Sequence, residues 1–126
     1  MASIHDSLNG LLGIDGALCA ALVDSTSGML MGSVGSGLDM ELAAAGNTEV
    51  VRAKLKTMRM LKLDDAIDDI LITLTHQYHI IRPVAAHEGV FFYLVLDKSR
   101  SNLALARRKV QDLSLIHISE PTRQAE

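Results

Sequence analysis

Apolar residues recur at Ile4, Leu8, Leu11 and Leu12, the spacing that lines one face of a helix, and Ser3 is placed to cap it. Gly10, Gly13 and Gly16 keep this helix short, and Ile14-Asp15-Gly16 leads out of it. Residues 17–23 (ALCAALV) are apolar on both alternating faces, as a central strand requires. The segment 24–28 (DSTSG) reads as a turn, and 29–34 returns as a second strand weakened by Gly32. Asp39 then caps a long helix over 39–62. Glu41, Thr48, Glu49, Arg52, Lys56 and Arg59 fall on one polar arc of this helix. The rest is apolar over roughly 200°, wider than one packing contact needs. Asn47 and Lys54 split that surface in two. One part carries Met40, Ala44, Val51, Leu55 and Met58; the other carries Leu42, Ala43, Gly46, Val50, Ala53, Met60 and Leu61. The first part is expected to cover the protein's own sheet, leaving the second for a partner.

Beyond an acidic linker at 63–66, three apolar runs predict a meander of strands at 70–75, 78–84 and 90–96. Pro83 belongs near the end of its strand or at a bulge. Residues 97–99 are expected to cap a last helix, with Leu103, Leu105, Ala106 and Val110 apolar and Arg107, Arg108 and Lys109 exposed. The fold class is therefore α+β.

Composition narrows the picture. The 126 residues make one domain with 48% apolar residues, no Trp, two Phe and two Tyr, so the core is built from aliphatic side chains and Met. A single cysteine, Cys19, excludes an intramolecular disulfide and fits a reducing compartment. The opening MASIHDSLNG has no basic-then-apolar signal pattern, and no run is apolar enough to insert in a membrane, so a cytoplasmic location is expected. A net charge of −3 argues against nucleic acid as a partner. Residues 113–123 (LSLIHISEPTR) resemble the translation of a transposase-type sequencing adapter. The domain is accordingly expected to span 1–112, with 113–126 a non-native tail and the last native helix cut short near Asp112.

The chemistry-bearing residues form no recognisable site. GSVGSG (residues 32–37) lacks the Lys-Ser/Thr of a phosphate loop and the spacing of a dinucleotide fingerprint, so a flexible turn is expected. His76 and His79 would face opposite sides of a strand and cannot chelate one ion. Asp64, Asp65, Asp68 and Asp69 lack the alternation of a calcium loop and read as a solvated linker. Cys19 reads as a buried packing thiol, and Asp24 as a turn former. Arg107, Arg108 and Lys109 suit the negative end of a helix dipole. No catalytic residue, metal or cofactor is expected.

The order helix, hairpin, long helix, three-stranded meander and helix resembles the Roadblock/dynein light chain domain family. The resemblance is carried by GALCAALVDSTSGMLMGS (16–33), AAAGNTEVVRAK (43–54), DDILITLTHQYHIIRPV (68–84) and VFFYLVLDKSRSNLALAR (90–107), which look like a bacterial stand-alone branch. It spans about residues 4–112. It implies a profilin-like fold of order α-β-β-α-β-β-β-α, with a five-stranded antiparallel sheet and helices on both faces. It also implies homodimers with paired long helices and sheets joined edge to edge, binding small Ras-like GTPases that they regulate or localise.

The expected function is a homodimeric regulator or scaffold of such a GTPase, and not an enzyme. The expected dimer interface is Leu42, Ala43, Gly46, Val50, Ala53 and Leu61, with Arg52, Lys56 and Arg59 toward the GTPase. The alternative is a small-molecule-sensing, profilin- or PAS-like module holding a ligand between sheet and helix. Ligand-induced thermal stabilisation separates the two by mass action.

Overall fold

In the computed structural model, which describes residues 2–116 and 118–119, Ala2–Ser3 (β1) makes a short parallel pair with Ile118–Ser119 (β7). Ser3 caps the first helix, α1 (Ile4–Leu12), its Oγ accepting from the Asp6 N–H at 3.0 Å. The hairpin follows as β2 (Ala17–Asp24) and β3 (Met29–Gly35). Its turn is held by Asp24, whose carboxylate accepts from the Thr26 N–H (2.9 Å) and hydroxyl (2.6 Å). Those bonds hold the Asp24 carboxyl below its ordinary range.

Asp39 caps α2 (Met40–Met60), accepting from the Leu42 N–H. The meander is β4 (Ile70–Thr73), β5 (Gln77–Pro83) and β6 (Val90–Asp97). Pro83 closes its strand, where a missing N–H costs no ladder bond. Asp97 caps only a 3-10 turn at Lys98–Arg100, and Asn102 caps the last helix, α3 (Leu103–Ser114). The cap expected at 97–99 therefore belongs to an inserted turn. The Asn102 side chain, accepting from the Leu105 N–H at 3.1 Å, is the one that opens α3. This last helix runs past Asp112. Leu113 packs on the core and Ser114 is buried. Of the adapter-like tail, His117 and residues 120–126 lie outside the described residues.

The five long strands form one antiparallel sheet in the order β3-β2-β6-β5-β4. β6 is central, and from Val90 to Leu96 every residue is buried. Strand alternation divides its side chains. Phe92, Leu94 and Leu96 join Leu8, Leu11, Ala106 and Val110 under α1 and α3, whereas Phe91, Tyr93 and Val95 join Cys19, Ala44 and Val51 under α2. Each fully buried Phe or Leu contributes about 1.5–3 kcal/mol relative to exposure.

Two glycines expected to form part of a flexible turn are fixed by packing. A Cβ on Gly32 would stand 3.1 Å from both Ile4 and Leu8, so its bareness lets α1 lie close to β3. Gly35 has φ +84°, and a Cβ there would press on the Leu18 carbonyl and approach the Cys19 Cα to 2.7 Å.

Candidate functional site

Because α2 covers its sheet face alone, its two apolar parts have different fates. Ala44, Val51 and Met58 are buried. Thr48, expected on the polar arc, is buried with them, because its hydroxyl is satisfied within the helix by donating to the Ala44 carbonyl at 2.7 Å. Leu55, expected against the sheet, is exposed.

The opposite part faces outward. Leu42 is 71% exposed, Met60 72%, Leu61 62% and Val50 37%. Ala53 is exposed, and nothing stands within 4 Å of a Cβ built on Gly46. Ala43 departs from this group: it is half-buried and packs against the core beneath α2. The remaining residues make an apolar strip along the helix, with Gly46 and Ala53 allowing close approach.

The basic side chains at its border do not share one role. Arg52 bonds to Glu49 and donates to the carbonyls of Ser25 (3.1 Å) and Thr26 (2.7 Å), tying α2 to the β2–β3 turn. Lys56 and Arg59 are exposed. Away from α2, Arg107 forms a bidentate pair with Asp69 at 2.9 and 2.8 Å. Asp69 therefore belongs to a partly buried ion pair that ties the chain just before β4 to α3, unlike the solvated linker expected of it. Arg108 pairs loosely with Asp112 within α3.

Beneath α2 lies a polar chain that the sequence pattern did not single out. Tyr93 hydrogen-bonds His79 Nδ1 at 2.8 Å, and His79 Nε2 meets Gln77 Oε1 at 2.9 Å. An amide oxygen only accepts, so Nε2 carries the proton and the Tyr93 hydroxyl donates to Nδ1. Burial pushes the His79 pKa down. It also raises that of Tyr93, partly opposed by a hydrogen bond from Asn47 on α2. Asn47, which divides the apolar surface in the sequence, thus reaches down to the sheet. The sequence signal for this chain was weak: His79 and Tyr93 sit in different strands, joined only by the β5–β6 register. Cys19 is buried nearby, and burial pushes its thiol pKa up.

Among the described residues, no three His, Cys, Asp or Glu side chains stand together as metal ligands would. None of the described helices is long and apolar enough to cross a membrane.

The whole arrangement superposes on solved structures. MglB of Myxococcus xanthus matches with a TM-score of 0.78 at 18% identity, covering 88% of this chain and 88% of that one. A Roadblock/LC7 domain from Streptomyces avermitilis matches with a TM-score of 0.76 at 12% identity, covering 90% and 92%. This is the Roadblock fold. An MglB with a tetrameric arrangement also matches, with a TM-score of 0.77 at 14% identity, covering 89% and 82%. No family model and no curated protein matches the chain. The Roadblock architecture expected from the order of elements, five antiparallel strands with helices on both faces, is thus present throughout.

Proposed function

We propose that this chain is a homodimeric regulator or scaffold of a small Ras-like GTPase, contributing no catalytic side chain. The observation that carries this reading is the uncovered apolar strip of α2, which suits the paired long helices and bound GTPases that the resemblance to the Roadblock family implies. Leu42, Gly46, Val50, Ala53 and Leu61 would meet the same residues of a second copy, with Ala43 at the margin. The tetrameric arrangement of one MglB of the same fold supports self-association here. Lys56 and Arg59 border the strip and would face the GTPase. Arg52 would contribute mainly by holding the β2–β3 turn in place. Regulation would follow from selecting one nucleotide-bound conformation of the GTPase, which requires a difference in affinity between its states.

The test is interferometry against small Ras-like GTPases loaded with GDP or with a slowly hydrolysed GTP analogue. The GTP-like state should bind about tenfold more tightly, and Lys56→Glu with Arg59→Glu should weaken it about tenfold. Equal binding of both states, or none on the order of tens of micromolar, would remove the regulator reading.

A further inference from the structure

The buried polar chain beneath α2 ends on the helix itself. His79 of β5 faces α2 alongside Ile81, with Ile72 of β4 as its register partner and Tyr93 of β6 diagonally across. The His79 and Tyr93 rings meet edge to face, their centroids 5.5 Å apart. Each bond of the chain has a direction. Nε2 donates to Gln77, Tyr93 donates to Nδ1, and Asn47 donates to the Tyr93 oxygen. That order holds only while His79 carries a single ring proton.

A second proton disturbs one end of the chain. The Gln77 bond survives, because Nε2 already donates. Nδ1 turns from acceptor to donor, so the Tyr93 hydroxyl must accept from it and send its own hydrogen elsewhere. The next group is Asn47, whose amide N–H already meets that oxygen. Either the amide turns over or the hydroxyl is left unpaired beneath the helix, and each weakens the hold of α2 on the sheet. Neighbouring charges give the cation no relief. The titratable groups facing it are Tyr93, the buried Cys19 of β2, and Asp97 opposite Gln77 at the end of β6. The Asp97 carboxylate is engaged by the Ser99 N–H and hydroxyl at 3.0 and 2.9 Å. The charged side chains of α2 are exposed, and Lys54 and Asp68 line an open groove beside Ile70. Burial alone sets the direction of the His79 shift, which is downward.

We propose that Gln77, His79, Tyr93 and Asn47 form a proton-operated latch, holding α2 on the sheet while His79 is neutral and releasing it when His79 is doubly protonated. Asn47 sets the direction of the response, because it meets Tyr93 as a donor. The latch acts between α2 and its own sheet, so it stands whether or not a second copy pairs on the outer side of the helix. A lifted helix exposes His79, which then takes up a proton near its ordinary pKa of 6.5, so opening grows as pH falls through that value.

Cys19 reports the opening, since it is fully buried in the cluster under α2. The full chain is labelled with dithiodipyridine, and each rate is divided by that of the urea-unfolded chain at the same pH. The corrected rate should rise about tenfold from about pH 7.5 to 5.5 and stay level in dilute urea, as a local opening does. His79→Gln should lose the rise. Asn47→Ala should label faster at both pH values and keep it. Asn47→Asp should lose or reverse it, because a carboxylate accepts the Tyr93 hydrogen and leaves the phenol oxygen to accept from Nδ1. A flat wild-type profile overturns the latch, as does a rise that survives His79→Gln or Asn47→Asp. Labelling that climbs with urea as steeply as global unfolding overturns it too, by showing that α2 does not move alone. Unchanged labelling of Asn47→Ala at neutral pH takes Asn47 out of the latch and also overturns it.

Discussion

Gly35 and His79 show how much a single position holds. Gly35 combines φ +84° with backbone atoms of β2 where a side chain would stand. Gly35→Ala should therefore cost more than about 2 kcal/mol in urea unfolding, through both strain and overlap. His79 is held neutral by burial, so its folded pKa lies below the ordinary 6.5. The unfolded chain then binds the extra proton more readily, and stability must fall as pH drops through about 6.5 toward the folded pKa. Urea midpoints from pH 7.5 to 5 should show that decline, and His79→Gln should flatten it. An equal decline in the variant would assign it to other groups. Neither feature was fully legible in the sequence. GSVGSG announces a bend but not the close approach of β2, and His79 gains its meaning from Tyr93 across a strand register. Asp24 was legible because its partner, Thr26, is a near neighbour in the chain.

At the scale of elements, local signals read well and competing ones did not. Ser3 and Asp39 cap their helices because each acts on a backbone N–H three residues on. Asn102 is hidden in the sequence because Asp97 offers an equally good cap slightly earlier, and only the path of the chain decides between them. Thr48 falls on the polar arc by periodicity, which does not see that its hydroxyl can be satisfied by the helix itself. Gly46 sits in open space on α2. In the dilute single chain Gly46→Ala should stabilise by about 0.8–1 kcal/mol, read from urea midpoints, through helix propensity. A loss at that dilution would mean that another surface already presses on the position. For α3, we propose that the domain ends near Asp112 although Leu113 packs on the core. A chain ending at Asp112 should stay folded and lose about 1 kcal/mol of buried leucine surface relative to one ending at Ile116. Loss of the cooperative unfolding transition would move the boundary beyond Asp112.

At the scale of the molecule, the sheet is closed on one face by α1 and α3 and on the other by α2 alone. That asymmetry leaves the outer side of α2 uncovered, where we propose that a second copy pairs, and a paired helix would raise apparent stability with concentration. The general architecture was legible because alternation and helical spacing are properties of each segment. The proposed partner surfaces are only half legible. The sequence separates two apolar parts of α2 but cannot turn Ala43 toward the core, or place Arg52 on the β2–β3 turn. The most direct test is light scattering at micromolar concentration on the wild-type chain and on Gly46→Leu. The wild type should show twice the 13.6 kDa chain mass, and the variant a single chain that remains folded. A single-chain mass for the wild type, or a two-chain mass unmoved by Gly46→Leu, would contradict pairing through α2.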